Sequence, residues 1–132
     1  FCVFGAQWID SRALADTLNS RNIPGTHFEP LDYTSTGRWK TEYHGVRYIY
    51  DDYDSACITL TQFHVMEAIS DLYPDKRAFE VCTECPTFDK VCGTSRIRAR
   101  FAANYKVASI RGYWMKDVEH FKHISEKYHL YE

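Results

Sequence analysis

This sequence has no surplus of basic charge: its 16 Lys and Arg stand against 18 Asp and Glu, a net charge of −2. A nucleic-acid-binding domain gathers cations on one face, so nucleic acid is not an expected partner. Long apolar runs are missing too, and none approaches the ~18–20 residues of a membrane-spanning helix. There is no Gly-x-Ser-x-Gly elbow, no phosphate-binding glycine loop and no dinucleotide fingerprint, so no cofactor is expected. Five cysteines cannot form a closed disulfide framework by themselves, because the count is odd. Internal repeats, low-complexity stretches and linkers are likewise lacking. The chain opens on Phe1 rather than methionine, which predicts that it is part of something longer.

What remains is apolar and aromatic. With 132 residues, 45% of them hydrophobic, the chain suffices for one domain around one core, spanning 1–132. Ten Tyr, eight Phe and three Trp offer large contact areas with polar handles, though any one ring is more often core than binding surface.

Residues 1–5 read as a strand. Asp10 stands where an N-cap belongs, ahead of Ala13, Leu14, Thr17 and Leu18 at helical spacing. Asn22, Pro24 and Gly25 end that helix. Residues 26–31 read as extended, with Pro30 demoting them to a sheet edge. Residues 32–45 read as a long polar loop carrying Tyr33, Trp39 and Tyr43, and residues 46–50 as a strand. Thr59 or Thr61 is the expected cap of a helix running to Leu72, with Leu60, Phe63, Met66, Ile69 and Leu72 as its buried stripe. A short strand is expected at 77–81, a helical turn at 88–92 closed by Gly93, and a helix capped by Thr94. Val107, Ile110, Trp114, Val118, Phe121, Ile124, Tyr128 and Tyr131 recur in steps of three and four, predicting one long amphipathic C-terminal helix. Together these predict an α+β fold, a small mixed sheet packed with about four helices.

Three clusters invite chemistry. Cys82-Thr83-Glu84-Cys85, with Cys92 seven positions on, has the spacing of half a zinc site. Without a second such pair or a nearby histidine, loop cysteines, a disulfide and a redox pair remain open beside zinc. Asp51, Asp52 and Asp54 are neighbours on one strand end, whereas glycosidase carboxylates face each other across ~5–10 Å from separate elements. A solvated terminus is the plainer reading. His120 and His123 share a helical face without a carboxylate at zinc spacing. No acid, base or nucleophile set emerges, so no catalytic residue and no metal ligand is assigned.

Several blocks, taken in order, resemble one family. They are Gly5-Ala-Gln-Trp-Ile-Asp10, Ala13-Leu-Ala-Asp-Thr-Leu-Asn19, Ile23-Pro-Gly25, Phe28-Glu-Pro30, Gly45-Val46 and Asp71-Leu-Tyr-Pro-Asp-Lys76. Phe88-Asp89, Gly93-Thr94 and the stretch from Trp114 through Phe121 to Tyr131 continue the series. It looks like the C-terminal domain of bacterial exo-β-N-acetylmuramidases, long catalogued as a domain of unknown function. The resemblance implies an N-terminal Rossmann-like catalytic domain as partner, a peptidoglycan fragment with terminal N-acetylmuramic acid as substrate, and an extracytoplasmic location. It implies for this chain an accessory role, walling the substrate cleft.

The family's Tyr-Phe-Thr-Pro-Thr stretch corresponds to Asp32-Tyr33-Thr34-Ser35-Thr36, and its Val-Gln-Ile-His to Val46-Arg47-Tyr48-Ile49. Sugar contacts are therefore expected from Tyr33, Thr34, Thr36 and Arg47 on one concave surface, with Trp39 nearby. The rival expectation is a stand-alone binding or interaction module of the same fold, stabilised in one version by zinc on Cys82, Cys85 and Cys92.

Overall fold

Residues 2–38, 40–80 and 85–129 are described by a computed structural model. They divide into two compact units, 1–77 and 78–132, where the sequence predicts one core. Each is described by itself.

The first unit is built on an antiparallel sheet. Strand β1 (Val3–Ala6) leads to helix α1 (Ser11–Asn19), then to β2 (Thr26–Thr34), β3 (Glu42–Tyr50) and helix α2 (Ile58–Leu72). The sheet order is β1-β3-β2, so β3 is central and Pro30 lies on an edge strand, where its missing N–H costs no ladder bond. Both pairings are antiparallel, which corrects the expected mixed sheet. The short β2–β3 connection forces one reversal, and the strands that run alike, β1 and β2, are kept apart by β3.

Asp10 caps α1 as expected, its carboxylate accepting the Ala13 N–H at 2.9 Å. The turn after the helix uses two left-handed residues, Asn22 and Gly25. Leu14, Ala15 and Leu18 meet Phe28 and Val46 from the sheet and Val65, Ala68 and Ile69 from α2. This face of the sheet is therefore the helix-covered one. The α2 cap differs from expectation: Cys57 occupies the position without a side-chain bond. Thr61 lies inside the helix, its hydroxyl turned back to the Cys57 carbonyl at 3.5 Å.

The second unit is helical: α3 (Pro86–Val91), α4 (Ser95–Ala102), α5 (Ala108–Trp114) and α6 (Val118–Ser125). Thr94 caps α4 by accepting the Arg96 N–H at 3.2 Å. Ile97, Phe101, Tyr105, Val107 and Ile110 are buried. Residues 78–80 form a turn rather than the start of the expected strand, whose last residue, Val81, lies outside the described residues.

The long C-terminal helix is not continuous either. At Met115 and Asp117 the backbone ψ is near 0°, and the Val118 N–H bonds the Met115 carbonyl three residues back. Steps of three and four prescribe which side chains share a face, not that one rod carries them. Beyond the break Phe121, Ile124 and Tyr128 are exposed.

Candidate functional site

Where β1 ends, the chain turns through Gln7 and Trp8 before α1 begins. Ile9 is buried and pins this turn to the core. Asp10 is held twice: its carboxylate caps α1, and its N–H donates to the Tyr73 hydroxyl at 2.9 Å. Tyr73 in turn meets Trp8 edge to face, with ring centroids 5.2 Å apart. These contacts orient Trp8 yet leave it 41% exposed. Beside it opens a shallow pocket of about 480 Å³, lined by Gln7, Trp8, Asp10, Ser11, His44 and Tyr73, with Ile9 behind.

The far wall is set by the sheet register. Ala6, His44 and Asp32 are partners across β1, β3 and β2 and share the helix-covered face. His44 Nδ1 lies 2.9 Å from Asp32 Oδ1, and the Ser11 hydroxyl lies near the same carboxylate. The His44 hydrogen bond first, and the neighbouring Ser11 hydroxyl second, hold the Asp32 carboxyl below the usual range against the opposing effect of burial.

This is not a nucleophilic triad. In such a triad the histidine sits between serine and aspartate and takes the serine proton. Here the histidine is bonded to the aspartate and, among the described residues, no hydrogen bond joins it to Ser11, so Ser11 has no base. The other carboxylate of the lining, Asp10, is committed to the helix cap. The pocket can bind and orient, with one aromatic face, an amide, a hydroxyl and an imidazole nitrogen.

The sign of the pH dependence follows from Asp32. Its folded value is depressed, so its contribution is fully present above the unfolded carboxylate value of about 4 and is lost as pH falls through the lower folded value. A carbon-detected NMR titration should give Asp32 a midpoint below that of a free carboxylate. Asp32→Asn should free the His44 ring and remove the dependence; an ordinary midpoint would contradict the geometry.

The residues expected to meet sugar do not lie on one surface. Tyr33 and Arg47 occupy the sheet face turned away from the helices, since Tyr33 pairs with Tyr43 and Arg47 with Glu29 and Val3. Thr34 is on the opposite face, because neighbouring strand residues alternate. Thr36 is exposed in the 35–41 loop, and Trp39 lies outside the described residues. Tyr33 stacks on Tyr43 at 5.5 Å and covers Gly5, where a Cβ would come within 3.1 Å of the ring. The expected 32–45 loop is shorter than predicted, because both strands extend into it.

Sequence reasoning passed over Trp8, Ser11, His44 and Tyr73 as a group. Trp8 and Tyr73 each belong to a block that carries the family resemblance, but nothing in spacing joins positions 8, 11, 44 and 73.

The zinc version of the rival expectation loses a ligand. Cys85 is disulfide-bonded, so its sulfur is not a thiolate; Cys82 lies outside the described residues. Cys92 is a free thiol, pushed up by burial and by the Asp89 charge, and stays protonated at neutral pH. Among the described residues no cluster of His, Cys, Asp and Glu could hold a metal ion.

Comparison with known proteins covers almost the whole chain. The family described as "Exo-beta-N-acetylmuramidase NamZ, C-terminal" matches residues 1–131. The peptidoglycan β-N-acetylmuramidase NamZ of Bacillus subtilis is 32% identical over 133 residues, covering 99% of this chain and 31% of that protein. The crystal structure of a DUF1343 family protein from Bacteroides fragilis superposes with a TM-score of 0.90 at 33% identity, covering 99% of this chain and 35% of that one. The chain thus spans about a third of the relatives it matches. With its sheet, its capped helices and its full length aligned in this way, the chain belongs to the family of NamZ C-terminal domains.

Proposed function

We propose that this chain is the accessory C-terminal domain of a peptidoglycan exo-β-N-acetylmuramidase and helps to shape its substrate cleft. In this reading the catalytic acid belongs to an N-terminal domain, which is consistent with a chain that spans 31% of the curated relative. One observation carries the reading: a half-exposed Trp8, held by Tyr73, borders a pocket with hydrogen-bonding groups but no free pair of carboxylates. An aromatic face with a few placed polar groups suits a sugar ring, whereas hydrolysis needs two facing carboxyls. The ligand is a muramyl sugar of a peptidoglycan fragment, met outside the cytoplasm. The Cys85 disulfide fits an oxidising compartment.

The test is kinetic and uses the longer protein that carries this domain. Trp8→Ala should lower kcat/KM for release of terminal N-acetylmuramic acid roughly tenfold, a loss of ~1.4 kcal/mol of transition-state binding. The 132-residue chain alone should release none. An unchanged kcat/KM in the variant, or turnover by the isolated domain, would end this reading. If no longer protein carries the domain, the stand-alone module replaces it.

A further inference from the structure

In the second unit, charge is distributed unevenly around one ring. The Arg100 guanidinium carbon lies 5.1 Å from the Tyr113 ring centroid, and Lys116 Nζ lies 5.1 Å from it as well. The Arg96 side chain and the Thr94 hydroxyl also lie close enough to the Tyr113 phenol to affect its ionisation. Three cations thus converge on one tyrosine. Among the described residues, neither Arg96 nor Arg100 has a carboxylate partner. Arg98, by contrast, is gripped by Asp89 at 2.8 and 2.7 Å. Among the described residues the carboxylate that Lys116 meets is that of its exposed neighbour Asp117, at 3.3 Å, a contact that water weakens.

Two concavities flank the cluster. One of about 310 Å³ is bounded by Thr94, Ile97, Tyr113, Trp114 and Lys116. The other, about 410 Å³, is bounded by Arg96, Ala99 and Arg100. Cations gathered around one ring raise the local positive potential and favour a bound anion. Arginine forks match the oxygens of carboxylate and phosphate, and the aromatic wall suits the ring that bears them. Tyr113 responds to the field: burial would raise its phenol, but the neighbouring Arg96 and Thr94 side chains and the nearby charges bring it below its ordinary value.

We infer that Arg96, Arg100 and Lys116, gathered on Tyr113, form a binding site for an oxyanion-bearing saccharide. The chemistry recognised is a carboxylate or phosphate on a sugar or polyol. This site belongs to the second unit and the Trp8 pocket to the first, and the inference does not rest on the muramidase reading.

The 132-residue chain, isotopically labelled, should be titrated with N-acetylmuramic acid, with glycerol 3-phosphate and with neutral N-acetylglucosamine. At least one anion should shift the amides of α4 and α5 with a Kd in the millimolar range, about −4 kcal/mol. Binding should weaken several-fold when salt rises from about 20 to 200 mM, as the Debye length shortens. Arg100→Gln should weaken it at least about threefold and Arg96→Gln/Arg100→Gln about tenfold or more, as expected when bidentate partners are lost. Both side chains are on the surface, and Lys116→Gln offers a separate check. The phenol absorbance of Tyr113 should titrate at higher pH when the anion is bound. A response to muramic acid identifies a sugar carboxylate as the source, and one to glycerol phosphate a phosphate polymer; either upholds the site. Equal binding of the neutral sugar, or indifference of the anions to Arg100→Gln, overturns it. So does the absence of any α4 or α5 shift with both anions at tens of millimolar.

Discussion

Gly45→Ala should destabilise the first unit by on the order of 3 kcal/mol, the upper range for forcing a methyl into a filled space. Gly45 lies in the central strand, directly opposite Gly5 of β1. A Cβ there would stand 1.9 Å from the Phe4 carbonyl oxygen and 2.6 Å from the Gly5 Cα. Both are backbone atoms, so no side-chain rotation relieves the clash, and β1 must move away from β3. Phe4, on β1, packs against the core, so the movement also loosens the packing below. Against a total stability of about 5–15 kcal/mol for a domain, the loss is large. A urea denaturation curve should show the midpoint displaced well to lower concentration. Gly112→Ala is the control: nothing lies within 4 Å of its built Cβ, and an alanine in α5 should stabilise by up to ~1 kcal/mol. If Gly45→Ala matches the parent midpoint, the close approach of β1 and β3 is wrong.

Phe101→Ala should cost about 3–5 kcal/mol, the usual loss for a buried phenylalanine. Its side chain is fully buried, with ring centroids 5.4 Å from Tyr105 and 6.3 Å from Phe79, both edge to face. The effect should spread, because Tyr105 depends on this packing. Tyr105 has a positive φ of 52°, a conformation that costs a non-glycine residue about 1–2 kcal/mol. Its hydroxyl accepts the Phe79 N–H at 3.0 Å. With the Phe101 ring gone, that bond should open, and exchange of the Phe79 amide should speed up more than that of the α1 amides. Phe101→Leu should recover most of the loss. A cost below ~1 kcal/mol for the alanine variant would mean that the ring is not a core element.

Much of the fold was legible because its signals are local. Asp10 and Thr94 cap helices through bonds that reach two or three residues, and Asn22, Pro24 and Gly25 end α1 by backbone sterics alone. Pro30 marked an edge strand for the same kind of reason. The mistakes share a different origin. Tyr43 and His44 read as loop residues because their polarity masks a strand whose pairing partners are ten or more residues away. The C-terminal stripe looked like one helix because periodicity is blind to a turn that keeps the phase. Cys57, without a capping side chain, begins α2 because the preceding turn is held by Asp52, whose carboxylate takes the Asp54 N–H and the Ser55 hydroxyl.

The site was less legible than the fold. Tyr33, Thr34 and Arg47 were chosen by correspondence along the chain, and strand alternation then divided them between two faces. His44, read as a loop residue, became the partner of Asp32 once the β2–β3 register set them opposite each other.

Taken alone, the amino-acid order determined the α+β class, the ends of α1, the cap of α4, and the family. Each of these rests on neighbouring residues or on similarity along the whole chain. Tertiary structure alone decided that Trp8 leans on Tyr73, that Asp32 meets His44, and that three cations gather near Tyr113. Such groupings depend on register and helix packing, which bring residues from distant positions within bonding distance.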